Sequence, residues 1–198
     1  MSFWTETDAS AIQDPKRKFR WYVLMMGLGM DNATAWWAKS INKPSFTIAS
    51  TEHKYLNHTY YYPGSVTWNE ISMVIVDPVS PDTSATLASI VQASGYTIPA
   101  GTSTAADLQT MSKSKSVAAL GAVFIVQVDS SGNPLETWTL NNPWISDVQY
   151  GDLAYGTDDL IEVTLKMRYD WASMKVTTEG SVGDTADNAP GQTDFFNI

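Results

Sequence analysis

LIEVTLKMRYDW, residues 160–171, carries the clearest period in the chain. Ile161, Val163, Leu165, Met167, Tyr169 and Trp171 alternate with Glu162, Thr164, Lys166, Arg168 and Asp170. Successive side chains of a strand point to opposite faces, so this order lays an apolar stripe on one face and a charged one on the other. The spacing predicts a long, half-buried β-strand. Its polar face carries both signs of charge, which suits a strand that meets another surface as well as its own core.

Working back from that strand, Trp144 to Tyr150 and Leu135 to Leu140 read as two more strands, broken apart by Asn142-Pro143. Ser130-Ser131-Gly132-Asn133-Pro134 is a hairpin turn from a buried strand at Ala122 to Val128. Residues 18–28 are apolar on both faces, so they read as a central strand or one covered by a neighbouring subunit. Residues 45–60 form an extended arm, Pro63-Gly64 signals a turn, and Val66 to Val76 returns as a strand. Together they make a long hairpin with an elaborated tip.

One segment changes period. Leu87, Ile90 and Val91 fall on one helical face within residues 82–94, with Asp82 or Thr83 as N-cap and Gly95 as the C-terminal stop. Residues 96–119 are rich in Ala, Ser and Thr, with a short helix expected around Ala105 to Met111. The fold expected is mainly β: a two-sheet barrel or sandwich, one short flanking helix and a long hairpin arm. Residues 1–172 form one domain, with an irregular arm at 1–15 and the hairpin arm at 43–70. Residues 173–198, acidic and without pattern, are expected to be an extended or mobile tail.

Composition narrows the chemistry. The chain has 198 residues, no cysteine and a formal charge of −9. That balance is poor for gripping phosphates, and the missing thiols remove disulfides, thiol nucleophiles and Cys-based zinc sites. The N-terminus lacks the layout of a signal peptide, and the longest apolar run, around Trp21 to Met30, is too short to span a bilayer. GLGMDN, from Gly27, lacks the third glycine and the Lys-Ser/Thr pair of a phosphate loop. Lys16, Arg17, Lys18 and Arg20 make the one dense basic cluster, read as a solvated strand start.

His53 and His58 are five apart, which in one continuous strand places them on opposite faces and prevents joint metal ligation. Asp158, Asp159 and Glu162 lack the EF-hand pattern. No serine stands in a G-x-S-x-G context. No enzyme, cofactor or metal site is expected. The remaining signal is aromatic: eight Trp, nine Tyr and six Phe are a high share, which points to extensive packing in a core or at an interface. Tyr60, Tyr61 and Tyr62 are consecutive, so at least one must leave the core face, and Trp4 and Trp36-Trp37 raise the same point. Such aromatics either pack under loops of their own chain or meet neighbouring chains, as hot-spot residues do.

Two blocks of residues then resemble a known family. They are Lys43-Pro44, Phe46, Tyr55-Leu56-Asn57, Tyr62-Pro63-Gly64, Thr67-Trp68 and Val76-Asp77, followed by Trp138, Asn142-Pro143-Trp144-Ile145, Tyr150-Gly151-Asp152-Leu153, Asp158-Asp159-Leu160 and Arg168-Tyr169-Asp170-Trp171. In this order they resemble the tail tube proteins of T-even-type contractile-tailed bacteriophages. The resemblance implies a structural subunit of the virion tail, assembled in the host cytoplasm, that forms six-membered rings stacked into a tube. It implies tail sheath and baseplate proteins as partners, with DNA passing through the lumen without specific binding. It also implies that the long hairpin contacts adjoining subunits, which makes Lys43, Pro44, Phe46, Tyr55, Leu56, Asn57, Tyr60, Tyr61 and Tyr62 the contact candidates on the arm. The mixed charge on the final strand, rather than the resemblance, adds Glu162, Lys166 and Arg168 as candidates for ion pairing with a neighbouring subunit. An acidic wall would repel the phosphate backbone rather than bind it. A related injection device, of pyocin or type VI kind, would share the fold and carry a protein cargo. A carbohydrate-binding β-sandwich and a two-carboxylate glycoside hydrolase are the readings from other classes.

Overall fold

The computed structural model describes residues 15–27, 37–80, 82–98, 101, 108–156, 158–177 and 192–196. Eleven strands and two helices are found there: β1 (Trp21–Met25), β2 (Ala38–Ile41), β3 (Phe46–Tyr55), β4 (His58–Trp68), β5 (Ile71–Val76), α1 (Thr83–Ala93), α2 (Lys113–Leu120), β6 (Val123–Val128), β7 (Pro134–Asn141), β8 (Trp144–Gln149), β9 (Glu162–Arg168), β10 (Trp171–Thr177) and β11 (Gln192–Phe195). A five-stranded sheet runs β1-β6-β7-β10-β11 and a four-stranded sheet runs β2-β5-β9-β8, every recorded pairing antiparallel. The ribbon β3-β4 stands outside both.

The apolar faces of the two sheets share one core. Val23, Val123, Ile125 and Leu140 come from the larger sheet, and Ile71, Met73, Ile75, Val163, Leu165 and Met167 from the smaller. Leu87 and Ile90 of α1 and Leu120 of α2 extend the same cluster. This is a mainly β, sandwich-like fold, as the period of two predicts.

The stretch that opens the sequence argument is not one strand. Val163, Leu165 and Met167 are buried in β9 as expected, but the chain bends at Tyr169-Asp170 and crosses to the other sheet as β10. The bend shifts the parity by one, so Ala172 rather than Trp171 enters the core. Ile161, ahead of the strand, is exposed. A second crossing lies beside the first: β7 passes to β8 through Asn142, whose φ is +53°, and Pro143. Asn142 Nδ2 donates to Asp170 at 2.9 Å, and Lys113 of α2 pairs with Asp170 at 2.6 Å. The Lys113 bond, with Asn142 second, holds the Asp170 carboxyl below its usual range. Strands that switch sheets at such corners are how a sandwich closes toward a barrel.

Other expectations need correction. Among the described residues β1 pairs with β6 alone, as an edge strand of its sheet rather than a central one. Its outward Tyr22 and Leu24 are half-covered beside their cross-strand partners Val126 and Phe124, which accounts for apolar residues on both faces. The helix α1 is capped by Asp82, which accepts from Ala85 N–H at 2.8 Å, and Gly95 follows at φ +100°. A second helix, α2, starts after Ser112, which caps Lys115 N–H. Residues Leu108–Met111 are not helical, and 105–107 lie outside the described residues. Past Trp171, where the sequence loses its period, β10 continues to Thr177 and pairs with β7 and β11. Trp4, Trp36, Gly29, Asn32 and residues 178–191 lie outside the described residues.

Candidate assembly surface

The ribbon β3-β4 is the feature that a single folded chain does not explain. All ten residues of β3 are exposed, and so are all of β4 except Thr59 and Trp68. Among the described residues neither of its edges carries a further strand. An isolated two-stranded ribbon is marginal in water, and open edges invite pairing with other chains. Ile48, Tyr55, Leu56, Tyr60, Tyr61, Tyr62 and Val66 all lie exposed on it.

Its register follows from local chemistry. Tyr55 pairs with His58, so the turn is Leu56-Asn57. Pro63-Gly64, expected to be the turn, lies inside β4 instead. The pairing steps from Ile48–Val66 to Ser50–Pro63, a bulge that accepts a proline without an N–H. Because the turn falls between the two histidines, the argument that they face apart fails. His53 opposes Tyr60 and His58 opposes Tyr55, so both histidines share one face with Tyr60 and Tyr62. The His58 and Tyr60 rings meet edge to face at 4.7 Å. Tyr61 lies on the other face with Glu52 and Lys54. Among the described residues no group of three His, Asp or Glu is placed to hold a metal ion.

The base of the arm is fixed while its tip is free. Phe46 packs edge to face on Trp68 at 5.1 Å, and Trp68 reaches Tyr169 at 5.9 Å and Phe196 at 5.8 Å. Tyr169 is buried at the floor of this group, and burial raises its phenol pKa above the ordinary value. Asn69 N–H donates to Ser45 O at 2.8 Å and closes the base. Pro44 is buried. Lys43 pairs with Glu136 at 2.7 Å and donates to Gln127 at 2.7 Å.

Glu136 is a site that sequence reading misses. It lies buried on the inner face of β7 yet meets Lys16 at 2.6 Å, Lys43 and the Trp138 indole N–H. Burial alone would raise its pKa, but these three donors outweigh it and hold the carboxyl at about 2. Its partners lie 120 and 93 residues away in sequence, so no local pattern announces it.

The polar face of β9 holds the other three expected contact residues. Glu162 pairs with Lys39, Lys166 with Asp147 at 2.8 Å, and Arg168 with Glu70 at 3.6 Å. Each of the three charges expected at a neighbouring subunit therefore has a partner in its own chain. The Asp147 bond raises the Lys166 pKa and lowers that of Asp147. The twelve expected contact residues thus divide. Lys43, Pro44 and Phe46 anchor the arm, Tyr55, Leu56, Asn57 and Tyr60 to Tyr62 occupy its free length, and Glu162, Lys166 and Arg168 form a charged ladder on the smaller sheet.

No protein-family model and no curated protein matches the chain. Solved structures do match in fold. A chain of the PVC sheath–tube complex, from an extracellular contractile injection system in its extended state, superposes with a TM-score of 0.62 at 13% identity, covering 87% of this chain and all of that one. A chain of the PVC sheath/tube terminator gives 0.60 at 13%, covering 82% and 98%. A chain of the anti-feeding prophage baseplate gives 0.57 at 19%, covering 82% and 97%. The fold is thus one that recurs in contractile injection systems. Among the described residues no helix is long and apolar enough to cross a membrane.

Proposed function

We propose that this protein is a structural, non-enzymatic tube subunit of a contractile tail, and that its copies form six-membered rings that stack into a tube. The observation that carries this reading is the almost wholly exposed, aromatic-rich arm, rooted in a fold that matches the whole of a chain from a contractile injection system over 87% of this one. An isolated ribbon of that length with open edges and exposed aromatics is marginal in water without a partner, and a surface that meets a different surface on the next copy closes into rings or continues as a filament. The resemblance of the two sequence blocks to T-even-type tail tubes supports the phage form: a virion tail with sheath and baseplate partners and a lumen that passes DNA. The formal charge of −9 fits a wall that repels phosphate.

A second form of the same reading is an injection device with a protein cargo. It is favoured by the two PVC fold neighbours, which come from an extracellular contractile injection system. Negative-stain microscopy of the purified protein tests the shared reading: rings or tubes are expected, and a monomer at every salt and concentration would refute it. Particles recovered from the producing cell then separate the two forms. Nuclease-protected DNA bound to intact tails supports the phage, and tails without any head or DNA support the device.

A further inference from the structure

A cleft of about 410 Å³ opens where β2 approaches the inner face of β1, β6 and β7. Its floor is apolar and aromatic, from Trp21, Ile125 and Trp138, and Lys18, Lys39 and Lys43 stand around it. Lys16 flanks it at Glu136. Lys16 and Lys43 share Glu136, and Lys39 pairs with Glu162. Lys18 carries no ion pair among the described residues.

The loop between β8 and β9 has the opposite character. Asp152, Asp158 and Asp159 are exposed and carry no ion pair among the described residues. Leu153 and Tyr155 lie fully in solvent between them, at 84% and 112% exposure. A large apolar residue left so exposed, beside unpaired acids, matches a cleft with an apolar floor and a basic rim in both respects. Among the described residues the loop does not line this cleft in its own chain; Asp152 and Asp159 border Lys39 in a separate hollow with Glu162, which leaves Lys18 as the unpaired cation of the rim.

We infer that the β8–β9 loop of a second copy docks in this cleft, with Leu153 or Tyr155 over Trp21 and Trp138 and the aspartates toward Lys18. The two surfaces differ, so the contact is head to tail and does not end at a dimer. It is separate from the arm and would join copies even where the arm is unengaged. This inference rests on the self-assembly reading above and names a surface for it.

Charge reversal tests it with residues that the fold does not use. Lys18→Glu and Asp159→Lys are each expected to raise the protein concentration needed for assembly roughly three- to tenfold, more in low salt than in high. The double variant is expected to recover most of that loss. Zero-length carbodiimide coupling on a mixture of ordinary and ¹⁵N-labelled protein should yield Lys18–Asp158 or Lys18–Asp159 peptides of mixed isotope. If wild type assembles but the single reversals have no effect, or the double variant is no better than the worse single, the docking is wrong and the tube reading survives. Coupling only within one chain overturns it in the same way. A wild type that stays monomeric throughout refutes the tube reading and this contact together.

Discussion

Lys43, at the foot of the arm, is held 2.7 Å from Glu136, a carboxylate buried on the inner face of the five-stranded sheet. Lys16 takes the other carboxylate oxygen at 2.6 Å, so one side chain ties the N-terminal segment and the arm to the same strand. With its pKa held at about 2 against 4.5 ordinarily, Glu136 favours folding at every pH above its unfolded value. That contribution is lost as the pH falls from about 5 toward 2, and its upper size is ~3 kcal/mol by linkage. Glu136→Gln should therefore flatten the acid side of the stability curve. Urea melts of both forms at pH 3 and pH 6 check this, and equal losses on acidification would show that Glu136 is not the group that responds.

Leu165 is fully buried in β9, between the paired strands β5 and β8. Leu165→Ala removes core volume where both neighbouring strands are fixed, so collapse into the cavity is limited. The expected loss is about 2–5 kcal/mol. Thermal melts by circular dichroism measure it, and an unchanged midpoint would contradict the burial of this face.

What the sequence shows and what it hides divide along physical lines. The period of two in β9 is visible because one face is buried and the other is wet, and α1 is visible because Asp82, Leu87, Ile90 and Gly95 mark its cap, face and stop. The arm is visible as an extended polar and aromatic run, but its turn is not, since Leu-Asn is a poor turn pair and Pro63-Gly64 a strong decoy. That misplaced turn also reversed the facing of His53 and His58. KSKSVAAL carries little apolar periodicity, so α2 depends on Ser112 and its packing against α1 and β8. Glu136 depends on lysines far away in sequence, and the pairing of Lys166 with Asp147 on the register of β8 against β9.

Leu56 stands at φ +52° and is 89% exposed at the arm tip. A left-handed leucine costs about 1 kcal/mol, and an exposed one gains nothing back within its own chain. A partner surface is the natural place for that return. Leu56→Gly should leave the isolated subunit equally stable or slightly more so, while raising the concentration needed for assembly. Deleting Thr51 to Tyr60 should go further and give a folded subunit that does not polymerise. Melting and sedimentation run on the same samples separate the two effects. Long tubes from the deletion variant would show that the arm is not the axial connector.

Lys166 presents the last test, because its charge already has a partner in its own chain. The bond to Asp147 at 2.8 Å crosses β8 and β9 on the exposed face of the smaller sheet, with Glu70 and Arg168 beside it. Exposed pairs add little to folding, so Lys166→Glu should barely move the melting temperature. If that face meets a neighbouring subunit, the reversal should still weaken assembly, and more in low salt, where surface charges reach further. Exchanging the pair, with Asp147→Lys added to Lys166→Glu, rebuilds the local bond but inverts the pattern shown to a neighbour. Assembly should then stay impaired while the fold is intact. Full recovery in the exchanged variant would mean that the ladder serves its own sheet alone. An assembled structure with Lys166 and Arg168 pointing into the channel would overturn the interface reading and place basic groups on the wall that DNA would pass.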